Sequence, residues 1–339
     1  MLAAAPKSGV VTPAMAFAFA LFLSLPLWIG AVGLYPYLGV EILIWALYAL
    51  SFNLLLGYTG LPSFGHGAYF GIGAYAFGLA QFNLAANLWL CLAAALAAAA
   101  VAGAVVAAFI SHRRGIYYAL MTIAFGQVFW FIAIKAHAIT GGEDGLLKIA
   151  RLPVDFGFVS FDLAGNTSLY YFVFAVFALA AMALWRLVHS PFGRILQAIK
   201  QNETRATFVG YNVWLYKFSA FTLSAALSGL CGGLFAMAQA SAYPDVMSLH
   251  YSGYVVMMTL VGGGFVSFWG PVVGATAFFL ARDVIGALTT SWMLWFGLLF
   301  MLVVLFRPEG LAGLWQDVRA GTFRQRAAAR AGILALLRR

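Results

Sequence analysis

The chain reads as an all-α integral membrane protein with about ten membrane-spanning helices. Apolar residues make up 64% of its 339 residues and charged residues only 9%, whereas a soluble domain carries about 45–50% and about 25%. Apolar windows recur along nearly the whole chain, and about 20 residues of helix cross a ~30 Å hydrocarbon core. The remaining charges gather between the windows rather than inside them.

The windows lie at residues 14–34, 38–58, 66–80, 85–110, 115–134, 169–188, 218–240, 251–265, 272–288 and 292–306. Only Lys7 precedes the first, and no small-residue cleavage site follows it, so it reads as a retained span rather than a signal peptide. The second carries Glu41 near its start and Asn53 near its end. The third is short and glycine-rich, within the stretch GLPSFGHGAYFGIGAYAFG (60–78). The fourth is alanine-rich and runs into the basic residues His112, Arg113 and Arg114. The fifth holds Gln127 and leads into 140–167, where Glu143, Asp144, Asp155 and Asp162 face Lys148 and Arg151. The sixth precedes 190–217, SPFGRILQAIKQNETRATFVGYNVWLYK, with Arg194, Lys200, Arg205 and Lys217 against Glu203.

The seventh and eighth windows lead to a second glycine-rich stretch, GGGFVSFWGPVVGA (262–275). Both glycine-rich stretches carry Ser-Phe three residues after a glycine, a weak internal similarity. Glycine lets helices approach closely, and broken helices persist at membrane depth only where protein or a cavity covers them. Close packing accounts for pairs such as Gly67/Gly71, Gly229/Gly233 and Gly270/Gly274, and a translocation route accounts for the two clusters as wholes. The ninth window contains Arg282 and Asp283, which read either as an ion pair or as functional intramembrane charges. After the tenth, Arg319, Arg324, Arg326, Arg330, Arg338 and Arg339 make a basic tail suited to anionic lipid or to disorder.

Cytoplasmic loops collect Lys and Arg. Residues 112–114, the 190–217 segment and the tail hold most of them, and ten crossings put all three on one face. This predicts a cytoplasmic N-terminus (1–13), a membrane domain (14–306) and a basic cytoplasmic tail (307–339). Within the membrane domain, 190–217 lies inside and 140–167 outside. The net charge of +9 therefore reflects membrane orientation and is no nucleic-acid signal. Cys91 and Cys231 fall in apolar windows and read as buried small hydrophobes. No Gly-Lys dipeptide, HExxH or CxxC occurs, so neither a phosphate loop nor a familiar metal site is written in the chain. No cofactor is expected in this chain.

Within 190–217, Asn202 suits a helix N-cap, Glu203 suits the positive end of a helix dipole, and Gly210 suits a helix stop. The residues 202–211 are therefore predicted to form a short helix, with Arg205 and Phe208 offered outward. Asn53, His66, Gly71, Gln127 and Gly263 are candidates for lining a route, with interhelical hydrogen bonds as the alternative for each polar one. Glu143 and Asp144 mark the acidic outer segment as a docking face, or equally as a lid.

Six pieces resemble one family, the LivM-type permease subunits of ATP-driven importers for branched-chain amino acids. They are SFNLLLGYTGLPSFGHGAYFGIGAYAFGLA (51–80), RRGIYYALMTIAFGQ (113–127), TGGEDGL (140–146), SPFGRILQAIKQNETRATFVGYNVWLYKFSAF (190–221), LVGGGFVSFWGPVVGA (260–275) and RPEGLAGL (307–314). They occur in the family's order across about 38–314. The resemblance implies a bacterial inner-membrane permease that shares one path with a LivH-like second permease. It further implies two cytoplasmic ATPases, which bind the ATP and Mg, and a periplasmic binding protein that delivers the small-molecule substrate. It makes 190–217 the coupling element, with Glu203, Arg205 and Gly210 facing an ATPase, and Phe208 joins them as an apolar anchor of the predicted helix. The family's Glu-to-Gly spacing is kept, but Glu203-Thr204-Arg205 departs from the Glu-Ala-Ala start common to importers. Similar permeases serve urea, short amides and aromatic or other small acids. Two further readings stay open: an ion-coupled carrier using Glu41 and Asp283, and a membrane enzyme, which the absent catalytic motifs disfavour.

Overall fold

The structure, a computed structural model, describes residues 22–26, 29–30, 35–84, 86–155, 160–306 and 309–319. The expected N-terminal segment 1–13, most of the 14–34 window and the tail beyond Arg319 lie outside these residues.

Six of its helices are long and apolar enough to cross a membrane. After a helical stretch at 22–26, α1 (Tyr37–Asn53) continues through a wider turn to Thr59. It is followed by α2 (Gly67–Asn83), α3 (Leu88–Ile110) and α4 (Gly115–Lys135). Then come α5 (Asn166–His189), α6 (Pro191–Gln201), α7 (Glu203–Phe208) and α8 (Val213–Gln239). The described residues end with α9 (Leu249–Gly262), α10 (Gly270–Leu288), α11 (Trp292–Phe306) and α12 (Gly310–Arg319). The windows at 66–80, 251–265 and 292–306 thus appear as α2, α9 and α11, of 17, 14 and 15 residues. At 1.5 Å per residue these are about 21–26 Å long, short of a straight crossing. The expected count of about ten therefore resolves into six full-length helices and these shorter ones among the described residues.

A helix that is apolar all round belongs inside a bundle. α1 meets that condition, and every residue from Leu38 to Asn53 is buried. α8 runs beside it and packs on α1, α2 and α3. Small residues set the spacing. A Cβ at Gly229 would overlap Ala95 and Ala99 of α3, one at Gly232 would overlap the Phe70 carbonyl of α2, and one at Gly73 would overlap Gly229 itself. With lipid tails as apolar as leucine, such close backbone approach is what holds membrane helices together. The outward faces of α3, α4 and α11 stay apolar, with Val101, Phe109, Ile116, Leu120, Leu294 and Met301 exposed.

The segment 140–167 departs from all-α structure. β1 (Leu146–Leu147) pairs antiparallel with β4 (Ser241–Ala242), and β2 (Val154–Asp155) with β3 (Ser160–Phe161). Arg151 ties it further, donating to the carbonyls of Ala164 (3.0 Å) and Ala238 (3.2 Å). This end of the molecule holds 140–167, the end of α8 and, through the Trp89 indole donating to the Asp155 carbonyl, the start of α3. The basic segments meet elsewhere. Residues 113–114, α6, α7, the end of α1 and the 263–265 bend all touch one another, directly or through Lys200 and Glu203. Among the described residues these are two separate contact clusters.

Candidate functional site

The segment 190–217, read from sequence as a loop around one short helix, folds as two helices joined at Asn202. Pro191 occupies the first turn of α6, where its missing N–H costs nothing. α6 is amphipathic, burying Gly193, Leu196 and Ile199. At the start of α7 the Asn202 side chain accepts the Arg205 N–H at 2.9 Å, the expected cap. At its end Tyr211 N–H donates to the Ala206 carbonyl and Gly210 N–H to the Thr207 carbonyl. That pair of bonds needs a left-handed residue, and Gly210 supplies it at φ +100°. Arg205 is exposed, and Phe208 and Val209 are 86% and 70% exposed, a degree unusual for large apolar side chains.

Glu203 behaves differently from its neighbours. Its side chain is only 16% exposed, and its carboxylate takes Arg114 Nε at 2.9 Å and Lys217 Nζ at 3.2 Å. Lys217 is fully buried and donates also to the Arg113 carbonyl at 2.6 Å. Of the four residues expected to face a partner, Arg205, Phe208 and Gly210 stand at the surface while Glu203 turns inward. Arg114 and Lys217 were not singled out from sequence. Each reads there as an ordinary flanking charge, and no local pattern announces that they converge.

The second glycine-rich bend meets the end of α1. α9 ends at Gly263 (φ +83°), and the next glycine, Gly264, lies against the Asn53 side chain. Gly57, in the wide turn that ends α1, touches the same side chain and the Gly264 carbonyl. Asn53 is 1% exposed, and among the described residues neither its Oδ1 nor its Nδ2 has a hydrogen-bond partner. Lys200 of α6 reaches under this junction, donating to the Gly57 carbonyl at 2.6 Å with its ammonium 4.7 Å from the Phe265 ring centre. Burial lowers the Lys200 pKa.

His66 is fully buried at the start of α2, 2.9 Å from the Ser224 hydroxyl of α8. Ser224 donates to the Ser51 carbonyl at 2.6 Å, and the Ser51 and Ser228 hydroxyls meet at 3.0 Å. Tyr48, Phe52, Tyr69 and Phe221 ring the imidazole. In this conformation His66 joins α1, α2 and α8 and is enclosed by rings. Gly71 packs on Met247 and Val246, and Gln127 is exposed on α4, so these two candidates do not share a surface with Asn53 and His66.

At the far end Glu143 and Asp144 are exposed in a turn between Gly142 and Gly145. Arg282 pairs with Glu41 at 2.8 Å and Asp283 at 3.2 Å, and donates to the Tyr35 hydroxyl at 2.9 Å. An open groove of about 640 Å³ runs past Tyr35, Arg282, Asp283 and Trp292.

The comparisons with known proteins bear on the helices just described. The model of a family described as the permease component of branched-chain amino acid transport systems matches residues 37–306, from the start of α1 to the end of α11. The chain belongs to that family. The high-affinity branched-chain amino acid transport system permease protein LivM of Salmonella typhimurium is 28% identical over 289 residues, covering 79% of this chain and 68% of that protein. The LivM protein of Escherichia coli is similar to the same extent, 28% over 289 residues. A probable branched-chain amino acid transport permease LivM of Methanocaldococcus jannaschii is 24% identical over 312 residues, 78% of this chain and 88% of that one. No solved structure matches the chain. Family and long apolar helices together make it a multi-pass membrane protein of a transport-permease family.

Proposed function

We propose that the chain is a permease subunit of an ATP-driven importer for branched-chain amino acids, held in the bacterial inner membrane. The observation that carries this is the family match over 37–306, which takes in every helix from α1 to α11. The capped surface helix α7, with Arg205 and Phe208 outward, supports a docking role at the basic end of the bundle. On this reading residues 1–13 and 307–339 are cytoplasmic and about ten segments, some of them short, make up the membrane domain. A LivH-like second permease completes the path, two cytoplasmic ATPases bind ATP and Mg and dock on α7, and a periplasmic binding protein docks near Glu143 and Asp144. Catalysis then belongs to the ATPases, and this chain needs no cofactor of its own. Substrate passes the junction of the α1 end with the second bend, near Asn53, His66 and Gly263, when the importer cycles away from the closed packing described above. Glu41 and Asp283 both pair with Arg282, which disfavours the ion-coupled carrier.

Co-expression with the two ATPases, the second permease and the binding protein, followed by reconstitution into liposomes, tests the reading. ATP-dependent uptake of leucine, isoleucine and valine is expected, with urea, short amides and aromatic acids as competitors. Uptake driven by an ion gradient without the ATPases would remove it.

A further inference from the structure

The carboxylate of Glu203 is engaged by two cations of its own chain. The half-exposed Arg114, from the turn that opens α4, holds one oxygen at 2.9 Å, and the buried Lys217, near the start of α8, holds the other at 3.2 Å. Lys217 is fully buried and also donates to the Arg113 carbonyl at 2.6 Å, so four groups from three segments close one cluster. A buried ammonium needs a counter-charge and a full set of acceptors to persist. Breaking the contact for a partner outside the protein would leave that ammonium without its counter-charge. Arg205 and Phe208, on the same short helix, have no such constraint and stand free at the surface.

We infer that Glu203 is a positioning residue: it anchors α7 to the starts of α4 and α8, and so makes the three move as one body, instead of contacting an ATPase. α7 is six residues long and buries only Ala206, which packs with Ile199 and Val213, so packing alone holds it weakly. Its two ends are set by the Asn202 cap and the Gly210 stop, but caps fix a helix's shape and not its attachment. The Glu203 cluster supplies the attachment. A force applied at Phe208 is then delivered through Lys217 to α8, whose Ser224 is bonded to Ser51 of α1 and lies against His66.

This rests on the importer reading, and the experiment separates the two. The complete importer is prepared with Glu203→Gln, and separately with Glu203→Cys plus Lys217→Cys, which removes the buried ammonium together with its counter-charge, using partner subunits that lack reactive cysteines. Cys91 and Cys231 are buried. Uptake per ATP hydrolysed is measured before and after a short bifunctional thiol reagent links positions 203 and 217. The expected result is that both variants keep their ATPases on purification and lose coupling several-fold. The cross-link then restores coupling to near the wild-type ratio, and cleaving it removes the gain. A carboxylate that contacts an ATPase cannot be replaced by an internal tether, so failure of the cross-link to restore coupling overturns the inference. So does loss of the ATPases from Glu203→Gln, or full coupling in that variant. A wild-type importer without ATP-dependent uptake instead removes the importer reading itself.

Discussion

The Lys200 ammonium donates to the Gly57 carbonyl at 2.6 Å, a carbonyl that the N–H groups of the turn following it do not take up. The N–H four residues on, of Leu61, bonds to Leu55 instead, and five residues on stands Pro62, which has no N–H. The wide turn that ends α1 thus creates an orphan acceptor, and α6 supplies its partner from across the sequence. Replacing Lys200 by Met should cost about 1 kcal/mol, the net worth of a hydrogen bond at a partly exposed site. Thermal unfolding in detergent should show a lower midpoint than Lys200→Arg, which keeps donors in place. Equal midpoints would mean that water satisfies Gly57.

Asn202→Ala should loosen α7 by about 1 kcal/mol, and Gly210→Ala by about 1–2 kcal/mol because a Cβ is unfavourable in the left-handed region. Hydrogen exchange of amides 205–208 should quicken roughly five-fold or more, with α1 and α8 unchanged. Unaltered exchange would show that something other than the caps holds the helix.

Arg282→Met leaves the Glu41 carboxylate, 11% exposed, without its cation. The cost should approach about 3–5 kcal/mol, reduced by the partial exposure of the pair. Adding Glu41→Gln should recover most of it. A double variant no more stable than Arg282→Met would show that the pair is not coupled.

Gly71→Leu meets Met247 and Val246 and should reduce folded protein as well as uptake. Gly253→Ala on α9 meets nothing within 4 Å and should be neutral or stabilising by up to about 1 kcal/mol. Gel-filtration yield and thermal midpoint distinguish the two. Normal assembly of Gly71→Leu with blocked uptake would return Gly71 to the translocation path.

Reversing Glu143 and Asp144 to Lys should leave the midpoint within about 0.5 kcal/mol, since both are exposed. Binding-protein affinity should fall, with the difference shrinking as salt is raised. Unchanged affinity across salt would exclude this turn from docking.

Local rules were readable in the residues, and long-range pairings were not. Asn202, Glu203 and Gly210 announce a capped helix because capping involves neighbours only, and α7 runs from Glu203 to Phe208 as its ends require. α6 was missed as a helix because its Arg and Lys drew attention to orientation, while Leu196 and Ile199 were too sparse to make an apolar window. Lys200–Gly57, 143 residues apart, leaves no local trace. His66 illustrates a third case. Its polarity inside an apolar stretch was visible, but the same signal serves a lining group and a hydrogen-bonded strut, and only the Ser224 contact at 2.9 Å separates them in this conformation. The two-residue strands at 146–147 and 241–242 are too short for any alternation to register.

α7 buries Ala206 alone. Its attachment and its outward face are therefore encoded by different residues, and selection can act on one without disturbing the other. Thr207 and Phe208 could drift toward a new motor subunit over generations while the fold paid no penalty, much as a plug can be recut when its cable is clamped separately. If α7 seats an ATPase as proposed, transplanting Arg205, Thr207 and Phe208 from another permease is the smallest exchange expected to redirect which ATPase binds.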